Sequence, residues 1–241
     1  INDINFNYPD SEIQALNDVN IEFKKNTCTA IVGPSGSGKT TLVNLFLGLL
    51  RAKNGKFLVD ESIYKDFSVL KNSIGYVPQN VYITDDSIAH NIAFGLSEND
   101  INYHRIDNCL KLACLYEFVS ELPEGVQSIL GEDGARLSGG QRQRLGIARA
   151  LYNDPDIIVF DEMTASLDGP TEFQIMKEVF NMAKIKTIII ITHKINTIKA
   201  CDNIYLLENG NIVTHGTYRE LYKNNIKFKK LADSSDHELY E

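Results

Sequence analysis

Gly33-Pro34-Ser35-Gly36-Ser37-Gly38-Lys39-Thr40 follows directly on the apolar run Cys28 to Val32 and directly precedes a helical pattern beginning at Thr41. Strand, glycine-rich turn and helix in that order make a phosphate cradle. Backbone N–H groups of the turn converge on one anion, and the helix presents unpaired amides and the positive end of its dipole there. Gly33, Gly36 and Gly38 carry no Cβ to keep the backbone away. Lys39 supplies a point charge for the β- and γ-phosphates, and the Thr40 hydroxyl is a candidate Mg²⁺ ligand.

Around this stretch the pattern alternates strand and helix. Ile1 to Phe6 and Val19 to Phe23 alternate apolar and polar residues like half-buried antiparallel strands, with Tyr8-Pro9-Asp10-Ser11 as a turn between them. Thr41 to about Leu50 reads as a helix, Asn54-Gly55 and Val59-Asp60 bracket a short strand, and Ile74 to Pro78 is another strand with Gln79 at its end. From Asp85 to Tyr152 the spacing turns helical, over Ser87 to Phe94, Ile106 to Leu115 and Tyr116 to Ser120. Ser138, with Gln141 three positions on, opens a further helix and fits a capping box, which is also all that a plain helix start requires. Ile157 to Phe160 and Ile188 to Ile191 are solid apolar runs, as strands buried on both faces require. They end in Asp161-Glu162 and in Thr192-His193. Asn209-Gly210 inside Tyr205 to Val213 signals a two-residue hairpin, and the tail from Asn224 reads as a polar, frayed helix.

Such alternation predicts an α/β class with a mostly parallel sheet, an antiparallel β part and an inserted helical part. The expected organisation is a single domain, with 1–84 and 153–223 as core, 85–152 as the helical insertion and 224–241 as a tail. Ligands of such sheets gather at the carboxyl ends of strands. Four such ends carry polar chemistry here: the cradle, Gln79, Asp161-Glu162 and His193.

Composition narrows the function. The net charge of −8 disfavours nucleic acid as the main partner, since phosphate backbones are bound by clustered Lys and Arg. Cys28, Cys109, Cys114 and Cys201 show no metal-ligand spacing and read as reduced core thiols. The longest apolar run, Thr187 to Thr192, falls far short of the roughly 20 residues of a membrane span. The chain opens on Ile1 directly into strand-like sequence, so a domain cut from a longer protein is expected.

Hydrolysis of a nucleoside triphosphate is mostly positioning and charge neutralisation. Asp161 is then the expected second support of Mg²⁺, through water, and Glu162 is placed to polarise the attacking water as general base. His193 can hydrogen-bond the γ-phosphate and hold that water in line. Gln79 can reach Mg²⁺ or the water with its amide.

Together these residues resemble the ATP-binding cassette domain of ABC transporters over nearly the whole chain. Gly33 to Thr40 resembles its Walker A motif, Gln79 the Q-loop, Leu137-Ser138-Gly139-Gly140-Gln141 the signature, Ile157 to Glu162 Walker B, Ser166-Leu167-Asp168 the D-loop and His193 the switch histidine. The resemblance implies an ATPase using ATP and Mg²⁺, with Gly33 to Thr41 on the phosphates and Tyr8 stacking on adenine. It implies two cassettes pairing head to tail, a homodimer, so that Ser138, Gly139, Gly140, Gln141 and Asp168 act in trans on the partner's nucleotide. Gly131-Glu132, Asp85 to Gly95 and His193 to Thr197 resemble exporters whose membrane and ATPase parts share one chain. A transmembrane domain is accordingly expected upstream of Ile1, with this domain on the cytoplasmic face of the inner membrane. The run from Cys201 to Tyr218 resembles bacterial flippases for lipid-linked oligosaccharides. Against the ABC transporter pattern, Met163 stands where Ala is common, and Ala165-Ser166 replaces the usual Ser-Ala before Leu167-Asp168. Two other classes compete: a soluble cassette ATPase acting on DNA or ribosomes, and a regulatory module that binds nucleotide without turnover.

Overall fold

The computed structural model describes residues 1–237 except Asp10, Lys53, Lys65 and Ala165. The predicted turn at Tyr8 to Ser11 and the Ala165-Ser166 departure therefore lie partly outside the described residues, as does the end of the tail. In chain order the strands are β1 (Asn2–Asn7), β2 (Gln14–Val19), β3 (Cys28–Val32), β4 (Asn54–Val59), β5 (Ser62–Tyr64), β6 (Ile74–Val77), β7 (Ile157–Asp161), β8 (Thr187–Thr192), β9 (Asn203–Glu208) and β10 (Asn211–Gly216). The α-helices are α1 (Lys39–Phe46), α2 (Ile88–Ile92), α3 (Tyr103–Leu112), α4 (Tyr116–Ser120), α5 (Gly139–Tyr152), α6 (Gly169–Met182), α7 (Tyr218–Asn224) and α8 (Ile226–His237). They fall into two compact units, one of residues 1–74 with 183–241 and one of 75–182.

The first unit holds an antiparallel sheet in the order β2-β1-β4-β5 and a second run ordered β10-β9-β3-β8. β3 pairs in parallel with both β8 and β9, while β9 and β10 form an antiparallel hairpin. Every residue of β3 and of β8 is buried, which explains why both are written as unbroken apolar runs rather than alternating ones. The hairpin turn has Asn209 at φ 46° and Gly210 at φ 76°, the doubly left-handed geometry that Asn-Gly favours. A second hairpin escaped sequence reading, because β4 and β5 are joined through Asp60 (φ 46°) and Glu61 (φ 71°), residues that carry no glycine signal.

β2 lies at Gln14–Val19 rather than at the predicted Val19 to Phe23. Its register on β1 shifts between the Ile4↔Val19 and Phe6↔Leu16 pairs, and Asp18 adopts φ 49°. Such a bulge breaks the alternation on which the prediction relied. α1 starts two residues before the predicted Thr41 and ends at Phe46, followed by Gly48 at φ 69°. The tail is not frayed through its described part. α8 buries Phe228 and Ala232 completely, and the Phe228 ring meets Tyr218 of α7 edge-on at 5.7 Å. Two apolar residues one helical turn apart are enough to dock an otherwise polar helix.

The second unit carries β6 and β7 as neighbours and the helices α2 to α6. α3 begins at Tyr103, earlier than the predicted Ile106, because Asn102 caps it by accepting the Arg105 N–H at 3.0 Å. Cys114 at φ 53° stops the helical run before Leu115. α6, absent from the sequence reading, buries Ile175, Met176, Val179 and Met182, a spacing that follows the helical repeat. Gly75 packs hard against α5, where an added Cβ would lie 2.5 Å from the Ala150 carbonyl oxygen. Among the described residues no helix is long and apolar enough to cross a membrane.

Candidate functional site

In the first unit β3 delivers the chain into Gly33, where a Cβ would stand 2.0 Å from the Leu207 carbonyl oxygen. Only glycine passes there. Gly38 is similarly confined, at φ 104° with a would-be Cβ 2.7 Å from the Ala15 carbonyl oxygen. Gly36 is different: its φ is 75°, and nothing lies within 4 Å of the position a Cβ would take. Pro34, Ser35 and Gly36 are exposed while Ser37 and Lys39 are buried, so the loop is anchored at its base and open at its crown. Lys39 donates from Nζ to the carbonyls of Gly33 at 2.8 Å and Pro34 at 2.9 Å. The ammonium is thereby held across the loop.

α1 has Gly38 as its N-cap and no side-chain cap, so the first-turn amides are not taken by a capping side chain. Thr40 is exposed in that turn. The buried Ser37 Oγ has no hydrogen-bond partner among the described residues, and such an orphan inside a phosphate-type loop fits an anionic ligand. Tyr8, just beyond β1, hydrogen-bonds through its hydroxyl with the Thr41 hydroxyl at 3.1 Å. Its ring packs edge-on against Phe6 at 5.1 Å and stays 41% exposed. The sequence separated Tyr8 from the cradle by a strand and a turn, and the fold ties it to the same helix start. His193 leaves β8 immediately after Thr192, the parallel partner of Val32. Both the cradle and His193 therefore emerge at the same end of adjacent strands.

In the second unit β7 runs into the acidic pair, with β6 beside it. Asp161 ends β7 buried, and its carboxylate accepts the Tyr76 hydroxyl at 3.1 Å. Burial, reinforced by the Asp161 charge beside it, pushes the Tyr76 phenol well above its ordinary value. Glu162 adopts φ 50°, a conformation uncommon outside glycine, which turns its side chain away from the direction of Asp161. Its carboxylate accepts the Gln79 amide Nε2–H at 2.8 Å. Two predicted residues thus meet directly, and Tyr76, which sequence reasoning passed over, holds a third. Its signal was the alternation Gly75-Tyr76-Val77: the small and apolar residues are buried and the phenol is only half-buried, as opposite faces of one strand require.

α5 opens on the predicted capping box. Ser138 Oγ accepts the Gln141 N–H at 3.2 Å, and Gln141 Oε1 accepts the Ser138 N–H at 2.8 Å. As an acceptor in that bond, the serine hydroxyl keeps its proton for an outside partner. Gly139 and Gly140 lie against Ser166, with would-be Cβ atoms 3.4 Å from Ser166 Cβ and 3.3 Å from its carbonyl oxygen. Asp168 accepts the Thr171 N–H at 3.2 Å, and hydrogen bonds from Thr171 pull its carboxyl below the usual range. Thr40 in the first unit, and Gln79 and Asp161 in the second, each carry an oxygen of the hard kind that magnesium takes.

Residues 16–165 match the family model described as ABC transporter. The chain is 40% identical over 225 residues to the ATP-dependent lipid A-core flippase of Cupriavidus pinatubonensis, covering 92% of this chain and 38% of that protein. It is 43% identical over 223 residues to the leukotoxin translocation ATP-binding protein LktB of Mannheimia glucosida, covering 92% of this chain and 31% of that one. Among solved structures, a bacterial Atm1-family ABC exporter with ATP bound superposes with a TM-score of 0.90 at 30% identity, over 98% of this chain and 41% of that chain. The chain thus spans well under half the length of the relatives it matches. It belongs to the ABC transporter family, as an ATP-binding domain of the exporter type with the P-loop NTPase fold.

Proposed function

We propose that this domain hydrolyses MgATP to power an exporter or flippase, working as a head-to-tail pair of identical copies at the cytoplasmic face of a membrane. The observation that carries this reading is the cradle, with Lys39 fixed between the Gly33 and Pro34 carbonyls at the start of a helix with no capping side chain. Gly33 to Thr41 take the phosphates, and Tyr8 offers its exposed face to the adenine. Base stacking on an aromatic ring contributes roughly 1 to 3 kcal/mol. Thr40, Gln79 and, through water, Asp161 would hold magnesium, which would supply charge neutralisation. Glu162 takes a proton from the attacking water, and His193 holds that water and the γ-phosphate in line.

Ser138, Gly139, Gly140 and Gln141 belong to the opposite copy's nucleotide. The free proton of Ser138 and the dipole of α5 both suit a γ-phosphate. Asp168 lies at the seam between copies. A transmembrane domain in the full-length chain receives the motion, and its cargo is of the flippase or translocated-protein kind carried by the named relatives. The relatives lend no support to a DNA- or ribosome-directed ATPase, or to a module without turnover.

Lys39→Ala tests the cradle: ATP binding by equilibrium titration is expected to disappear, and retained tight binding refutes the reading. A Glu162→Gln sample with ATP, followed by light scattering, tests the pair. Doubling of the mass with ATP and return to one copy with ADP is the expected result.

A further inference from the structure

We propose that Tyr76 is a positioning residue for the Asp161 carboxylate, fixing its rotation so that the metal-bound water finds it already aimed. The inference rests on the reading of Asp161 as the support of magnesium. Its ground is a paired arrangement along β6 and the residues that follow it. Tyr76 donates to Asp161 at 3.1 Å, and three residues further on Gln79 donates to Glu162 at 2.8 Å. Each of two consecutive carboxylates is therefore held by its own donor from the same chain segment. A phenol donating to a carboxylate makes a charge-assisted bond, stronger than a neutral one.

The strand that carries Tyr76 cannot easily shift. On its other face Gly75 allows α5 to approach until a Cβ would meet the Ala150 carbonyl oxygen at 2.5 Å and the Pro155 ring at 2.8 Å. Val77 is fully buried. The phenol is thus set by close-packed backbone, and it sets the carboxylate in turn. Outer partners of this kind orient ligand groups and tune metal affinity without touching the ion.

The test is Mn²⁺ binding to the full chain saturated with ADP, read as free Mn²⁺ by electron paramagnetic resonance. Tyr76→Phe is expected to weaken Mn²⁺ about tenfold and to leave ADP affinity measured in EDTA unchanged. Asp161→Asn is expected to weaken Mn²⁺ at least as much, and adding Tyr76→Phe to it is expected to change nothing further. Unaltered Mn²⁺ affinity in Tyr76→Phe, beside a loss in Asp161→Asn, overturns the positioning role and leaves the metal reading intact. Unaltered affinity in Asp161→Asn removes both. A metal-free ADP affinity that falls by the same factor in Tyr76→Phe marks a general structural part for the phenol and overturns the proposal as well.

Discussion

Arg149 grips Asn91 twice: its Nε donates to the Asn91 carbonyl at 2.7 Å, and its Nη2 donates to the Asn91 side-chain oxygen at 3.1 Å. The asparagine is fully buried and also accepts the Thr84 N–H at 3.0 Å, while its amide donates to the carbonyls of Thr84 and Ser87. One side chain therefore joins the segment after Gln79, the start of α2 and the signature helix α5.

Removing it should be expensive. Asn91→Ala strands several buried donors and acceptors, at a cost of about 2 to 3 kcal/mol. That corresponds to a fall in Tm of roughly 5 to 10 °C for a chain of this size, measurable by calorimetry. Arg149→Ala is expected to cost a similar amount, and the double variant less than the sum of the two.

The cradle glycines should separate stability from binding. Gly33→Ala puts a methyl group 2.0 Å from a backbone oxygen, so overpacking of about 3 kcal/mol is expected, seen as a lower denaturation midpoint. Gly36→Ala meets no protein atom and should lose only about 1 to 2 kcal/mol for its left-handed backbone. Its methyl group instead fills the open crown, and ATP affinity is expected to drop about tenfold or more, a change of at least ~1.4 kcal/mol in binding.

Turnover should depend on the Glu162 carboxylate. Glu162→Gln is expected to slow phosphate release about 10²- to 10⁴-fold while ATP still binds. Steady-state turnover at the normal rate would remove Glu162 from the role of base.

Alkaline stability carries the mark of a buried thiol. Burial pushes Cys109 from its ordinary 9.0 up to about 11, with Asp154 adding to the shift and Arg105 opposing it. The unfolded chain loses this proton first. The stability linked to the thiol is intact below pH 9.0 and is lost as pH rises towards 11. Cys114 and Cys201 are raised as well, so Cys109→Ala should make the fall of urea midpoints over that window shallower, and a wild-type slope in the variant would assign the effect elsewhere.

The sequence disclosed most where the chemistry leaves little choice. Gly33 to Thr40, the strand end at Asp161-Glu162 and the Ser138–Gln141 capping box are short-range patterns whose local structure follows from neighbouring residues, and the Asn209-Gly210 hairpin is equally local. What stayed hidden depends on contacts far apart in sequence. Nothing in the string ties Tyr8 to Thr41 or Tyr76 to Asp161, because these meetings are products of strand order. The β5 hairpin was missed because Asp60 and Glu61 take left-handed angles without glycine, and β2 because a bulge at Asp18 disrupts its alternation.

The tip of the β9–β10 hairpin reaches back to the cradle. The Gly210 N–H donates to the Ser37 carbonyl at 3.0 Å, and the Gly210 carbonyl accepts the Asn17 N–H at 2.8 Å. A Cβ on Gly210 would come within 2.8 Å of the Ala15 carbonyl oxygen. Backbone from two distant hairpins thus splints the phosphate loop from outside. The ordering entropy of that loop is met when the chain folds rather than when nucleotide arrives, so the loop need not be recruited into shape at each encounter. Capture of ATP should accordingly proceed as a single bimolecular phase, its observed rate rising linearly with nucleotide concentration.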